Sequence, residues 1–179
     1  MKRILQGLAF AISVVGLLQP VGAKVIKFEV LRTESPAFEG RTFAAVGTYD
    51  RIIARATIAV APDDPHNSLI VDIDRAPRNA HGLIEAVSDV EILRPTIAAS
   101  GNRRLFYEVV NRGNKLGLAL FNDGAVVNDL AKAADAGNGF LMNRGYTIVW
   151  SGWQGDTSAA GGRLTFSPPI VPQVTGLAR

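Results

Sequence analysis

RLFYEVVNRGNK (residues 104–115) and GNGFLMNRGYTIVWSGWQGD (residues 137–156) are the two stretches that decide how this chain reads. RLFYEVV is a short apolar run rich in strand formers, and it breaks at Asn111-Arg112-Gly113-Asn114. GFLMNRG reads as a short helix over 138–144, closed by Gly145, which takes the left-handed conformation without a Cβ clash. YTIVWS, 146–151, is a second apolar strand that ends at Gly152. Two strands joined through a helix make a βαβ unit, with the strands parallel in a buried sheet. Chemistry in such sheets collects in the loops beyond the carboxyl ends of the strands, here Asn111–Lys115 and Gly152–Asp156.

The region before residue 104 has a different rhythm. KVIKFEVLRT, 24–33, alternates and reads as a half-buried strand, with Ile26, Phe28 and Val30 on one face. RIIARATIAVA, 51–61, sets Arg51, Arg55 and Thr57 outward. LIVDID, 69–74, alternates again. LIEAVSDVEIL, 83–93, sets Asp89 and Glu91 outward and Val90 and Ile92 inward. Short strands separated by turns, without a convincing helix, predict an antiparallel β-rich region over 24–103. Further on, Leu130, Ala133 and Ala134 give AVVNDLAKAADAG, 125–137, a weak helical face, and LTFS, 164–167, reads as a short strand. The fold class is therefore α/β, with an antiparallel lead-in followed by a βαβ start over 104–179.

Residues 1–23 read as a secretory signal peptide. Lys2 and Arg3 precede the apolar run Ile4–Leu18, and Val21-Gly22-Ala23 fits a small-residue cleavage site. The run is shorter than the ~20 residues of a spanning helix, so no stable membrane span is expected after cleavage. The chain has no cysteine, which excludes a lipoprotein anchor and disulfides. Removing Lys2 and Arg3 from the 19 basic residues leaves 17 against 16 acidic ones, a net of +1. The remaining basic residues are scattered, which gives nucleic-acid binding no support. The expected location is secreted or periplasmic.

The Asn111, Arg112, Gly113, Asn114 loop is the sharpest chemical signal. A glycine at a strand end frees backbone N–H groups to face an oxyanion or another anion; the alternative is a polar turn that satisfies its own backbone. In the second loop, Trp153, Gln154 and Asp156 are candidates for the substrate side, with Trp150 expected in the core. His66 and His81 lie in loops, and Asp63, Asp64, Asp72 and Asp74 fall near His66. Their spacing matches neither an EF-hand loop nor HExxH, so no metal or cofactor is expected and they read as turn formers. No G-x-S-x-G, Walker-type loop or G-x-G-x-x-G after a strand occurs.

The runs SPAFEGRTFAAVGTYDRIIARATIAVAPDDPHNSLIVDIDRAPRNAHGLIEAVSDVEILRP, LFYEVVNRGNK, FND and ADAGNGFLMNRGYTIVWSGWQGD together resemble the amino-terminal portion of large bacterial alpha/beta hydrolase domain proteins. Several separate blocks match in order, and they cover essentially all of the chain after residue 23. The resemblance implies that strand 104–110 precedes the oxyanion loop and that Asn111–Asn114 occupies that loop. It also implies that the nucleophile elbow follows a later strand, with the acid and histidine later still. All three then lie outside this chain, as in a truncated reading frame or a fragmentary gene. On this reading the parallel edge after strand 146–151 is left open, an aggregation liability. The implied partner is a small-molecule ester-like substrate, handled by an exported ester-type hydrolase whose amino-terminal part is inactive alone. The competing class is an exported non-catalytic binding module.

Amino-terminal sequencing of the protein recovered from the periplasm or medium is expected to begin at Lys24. A chain that retains residues 1–23 in the membrane fraction would show that the segment anchors rather than targets.

Overall fold

The computed structural model describes residues 22–172, so the predicted targeting segment lies almost wholly outside the described residues. Six strands form one mixed sheet: β1 (Ala23–Glu34), β2 (Tyr49–Val60), β3 (Ile84–Pro95), β4 (Leu105–Val109), β5 (Thr147–Ser151) and β6 (Phe166–Ser167). The order across the sheet is β1-β2-β3-β5-β4, with β6 pairing β3 beside the end of β5. The β1–β2, β2–β3, β3–β5 and β3–β6 pairs are antiparallel, and β4 and β5 pair in parallel. Helix is scarce among the described residues: α1 (Gly117–Asn122), α2 (Phe140–Asn143) and isolated 3-10 turns. The mixed sheet with few helices suits the α/β class.

The parallel pair and its connection follow the sequence pattern. Gly145 takes φ +75 and donates to the Met142 carbonyl at 2.9 Å, ending α2 as a helix-closing glycine does. The chain then enters β5, which slots between β3 and β4 (Glu91 opposite Trp150, Trp150 opposite Glu108). Both edges of β5 are therefore paired, and the open edge expected after it belongs instead to β4. Strands from either side of residue 103 share this one sheet.

Four expectations about the elements fail, each for a local reason. LIVDID is not a strand; it is a turn followed by the 3-10 turn Ile73–Arg75, with Leu69 92% and Val71 81% exposed. β2 and β3 pair along their whole length, Tyr49 opposite Pro95 through Val60 opposite Ile84, and leave no edge for a strand between them. The 125–137 helix contracts to one 3-10 turn, Ala133–Ala136. Upstream of that turn the chain is pinned by Leu130, buried in the core, and by Asn128, whose side chain bonds Lys115 and Asn114. β1 is exposed along both faces rather than half-buried, because among the described residues it meets the sheet edge-on at β2 and no helix or strand is laid over its faces. Two of the outward positions of β2 and β3 are misassigned too: Arg51 and Glu91 are buried at 3% and 2% exposure, while Arg55 is exposed as expected.

One face of the sheet carries the core. Tyr49, Leu93, Ile148 and Trp150 pack there under Phe38, Phe43, Leu118, Leu130, Leu141 and Met142. Burying a side chain of this size stabilises by roughly 1.5–3 kcal/mol. Tyr49 donates to the carbonyls of Tyr146 (2.9 Å) and Met142 (3.2 Å), and burial raises its pKa above the ordinary tyrosine range. The other face carries a smaller apolar cluster, Ala54, Ala56 and Val90, with Ile92 and Val149 against them. Beyond that patch Leu105, Tyr107 and Val109 of β4 are 50–62% exposed.

Gly152 closes β5 by packing its backbone on residues 88–89 and 165. Its N–H donates to the Asp89 carbonyl at 2.8 Å, its carbonyl accepts from Ser88 Oγ at 2.7 Å, and a Cβ there would overlap the Thr165 carbonyl. Gly152→Ala is expected to lower unfolding free energy by about 1–3 kcal/mol through overpacking, read from urea unfolding. An unchanged midpoint would mean that the 164–167 segment moves aside freely.

Candidate functional site

The carboxyl ends of β4 and β5 bring the two loops together. Asn111 and Asn114 bridge each other: Asn111 N–H donates to the Asn114 carbonyl at 3.1 Å, and Asn114 N–H to the Asn111 carbonyl at 3.0 Å. The tight turn needs positive φ at Arg112 (+48) and Gly113 (+79). A Cβ on Gly113 would press on the Leu164 carbonyl at 2.6 Å, so only glycine fits there. Arg112 N–H donates to Gln154 Oε1 at 2.8 Å, and the Arg112 guanidinium reaches Asp156 Oδ2 at 3.2 Å. Trp153 is 53% exposed and donates its indole N–H to the Val110 carbonyl at 2.7 Å, whereas Trp150 is fully buried.

The seven candidates from the sequence thus form one surface. The Asn111 and Asn114 N–H groups are held by each other's backbone carbonyls. The Arg112 N–H is the exception in kind, since its acceptor is a side-chain amide oxygen that a competing oxygen can displace. Asp63 pairs with Arg78 and Asp72 with Arg75, so the carboxylates near His66 do not converge. Asp64 instead caps the Pro65–Asn67 turn, accepting from the His66 backbone N–H at 2.9 Å and lying 2.8 Å from the His66 ring Nδ1. Those bonds hold its carboxyl below the ordinary aspartate range.

Directly under the loops lies a feature the sequence did not announce, a charged layer across the buried face. Glu91 on β3 receives Arg51 Nε at 2.8 Å and Nη2 at 3.2 Å. Lys115 Nζ donates to the same carboxylate from above, and its side chain is 2% exposed. Lys115 also sits 5.7 Å over the Trp150 ring. Arg51 Nη1 continues to Asp129 at 2.7 Å and to Glu34 at 3.4 Å. On the far side, Glu108 on β4 accepts the Trp150 indole N–H and the backbone N–H groups of Leu116 (2.6 Å) and Gly117 (2.7 Å), anchoring the start of α1. Strict alternation along β2 and β3 placed Arg51 and Glu91 outward. The usable signal was their opposite charge on neighbouring strands, with a lysine just past the next strand.

Burial pushes Lys115 below the ordinary lysine range, and the attraction of Glu91 only partly offsets it. Burial acts in the same direction on Arg51, but its bonds to Glu91 and Asp129 outweigh it and keep the guanidinium charged. The Arg51 bond in turn holds Asp129 below the usual carboxylate range.

No family model matches the chain, and neither a curated protein nor a solved structure matches it.

Glu91→Ala leaves two buried cations on one empty site and is expected to cost about 3–5 kcal/mol in urea unfolding. Lys115→Met, which keeps the Arg51–Glu91 pair, is expected to cost less. Folded Lys115 releases its proton at lower pH than in the unfolded chain. Between those two values the unfolded state holds the extra proton, so stability rises with pH there. That increment is expected to vanish in Lys115→Met, and a pH–stability curve identical to the parent's would contradict the assignment.

Proposed function

We propose that this chain is the opening part of an exported ester-type hydrolase of the α/β-hydrolase kind, and that it supplies the oxyanion loop and no nucleophile. The observation that carries the proposal is the joining of the Asn111–Asn114 turn to the Gly152–Asp156 loop. They meet at the carboxyl ends of two adjacent parallel strands, through Arg112, Gln154 and Asp156. The sequence resemblance implies an oxyanion loop at this turn. On this reading the ester carbonyl oxygen displaces Gln154 Oε1 and takes the Arg112 N–H, while the exposed Trp153 ring borders the rest of the substrate. Such donors contribute a few kcal/mol of transition-state stabilisation in enzymes generally.

Two further features support the reading. β4 ends the strand order, so a further strand can pair in parallel at its open edge, the position from which a nucleophile elbow would enter. Its Leu105, Tyr107 and Val109 also leave an apolar stripe on a face that parallel sheets ordinarily bury. No residue of this chain takes the role of nucleophile, base or acid. The other reading, an exported binding module, is favoured by a separate feature, the open charged cleft beside Arg51.

The purified chain is expected to leave p-nitrophenyl acetate and butyrate unhydrolysed. Turnover abolished by a serine-reactive phosphonate would overturn the assignment of no nucleophile. Reading the gene past the Arg179 codon tests the hydrolase itself: a strand followed by G-x-S-x-G is expected, and its absence in every frame removes the hydrolase reading.

A further inference from the structure

A cleft of about 630 Å³ opens on the packed face of the sheet, where β1, β2 and β3 meet residues 128–129 and 161–164. Its volume falls within the roughly 300–1,000 Å³ of small-molecule sites. Four arginines line it, Arg32, Arg51, Arg55 and Arg163, against three carboxylates, Asp89, Glu91 and Asp129.

The balance of hydrogen bonds is more one-sided than the balance of charge. Glu91 spends both oxygens on Arg51 and Lys115. Asp89 accepts Arg55 Nε at 3.2 Å on one oxygen, and Thr165 N–H (3.0 Å) and Oγ1–H (2.7 Å) on the other. The arginines are not used up in the same way. Arg55 bonds only through Nε, and Arg163 only through Nε, to Asn114 Oδ1 at 3.3 Å. Among the described residues, the Nη groups of both have no partner. A guanidinium presents its donors as a rigid planar fork, which matches the two oxygens of a carboxylate or phosphate. Arg51 beneath cannot rotate to meet a ligand, since Glu91 and Asp129 hold it from two sides, so it contributes fixed charge. Gly161 and Gly162 both take positive φ, +72 and +74, and keep that wall free of side chains.

We propose that this cleft binds a small organic molecule through an oxyanion, a carboxylate or phosphate group held between the forks of Arg55 and Arg163. The site is separate from the Arg112–Gln154 contact and holds whether or not the sheet belongs to an ester hydrolase. It meets the turn through Asn114 Oδ1, which also accepts from Asn128 Nδ2 at 3.0 Å, and through Leu164, whose N–H donates to the Gly113 carbonyl at 3.0 Å.

Calorimetric titration of the purified chain with succinate and with inorganic phosphate, at low salt, tests the proposal. At least one probe is expected to bind saturably, with affinity falling as sodium chloride is added. Arg163→Gln and Arg55→Gln are each expected to weaken it about tenfold or more, the size of a lost charge-assisted bond. Arg75→Gln, remote from the cleft, is expected to leave it unchanged. Succinate binding alone would assign the site to carboxylates, and phosphate binding alone to phosphate groups. No saturable heat with either probe up to about 10 mM, or parent-like affinity in both cleft variants, overturns the proposal.

Discussion

The ion cluster of Arg51, Glu91 and Lys115 is the constraint around which this structure is arranged. Three charges with side chains 2–4% exposed cannot be tolerated unless each is paired and hydrogen-bonded. The pairing fixes the register of β2 on β3, because Arg51 reaches Glu91 diagonally across that ladder. It also fixes the chain after β4, because Lys115 must come down over Trp150 to reach the same carboxylate. A hydrophobic layer of equal volume is often as stable or more so, so what the cluster adds is the geometric demand that each buried charge meet its partner. Glu108 adds a matching constraint on the other flank, tying Trp150 to the first residues of α1.

The two faces of the sheet are finished to different degrees. On one, an aromatic cluster built from Phe38, Phe43 and Tyr49 in edge-on contacts closes against α2 and the segments around it. On the other, a few alanines and valines give way to exposed Leu105, Tyr107 and Val109, and β1 shows Val25, Phe28 and Val30 to solvent. Isolated apolar side chains at a surface need no explanation, but a contiguous stripe along a sheet edge is a surface available for contact. The bare face thus lies at both ends of the strand order, β1 and β4, and not in the middle of the sheet.

How far the sequence could be read depended on which interactions are local. β1, β2, β3, β4 and β5 were legible because their apolar runs end in glycine, proline or asparagine, and those breaks act within a few residues. The β4–β5 parallel pair was legible for the same reason, through Gly145. LIVDID misled because its alternation is real but its pairing partners are not free: β2 and β3 occupy each other. Arg51 and Glu91 misled because alternation assigns a charged residue to solvent, and only contact between strands far apart in sequence reveals a pair. The structure brings the seven loop residues together at the ends of β4 and β5, through hydrogen bonds that no local sequence pattern shows. That Gln154 fills the Arg112 N–H is a fact of two loops meeting 42 residues apart.

The charged layer and the two loops are physically continuous, and this bears on what the turn can do. Asn114 hands its side-chain oxygen to Arg163 and Asn128, Asn128 accepts the Lys115 N–H, and Lys115 holds Glu91. Each link is a directed bond, so the Asn111–Asn114 turn is braced from the cleft side and from the buried layer. On its solvent side it is braced only through Arg112, by a salt bridge whose partners are 58% and 69% exposed and by one amide oxygen. Exposed pairs of that kind contribute little, in the range of about 0–1 kcal/mol. The turn is therefore stiff where it meets the protein and yielding where it meets solvent. On the proposed reading of the turn as an oxyanion loop, that combination supplies a fixed backbone donor whose present acceptor a substrate oxygen can replace.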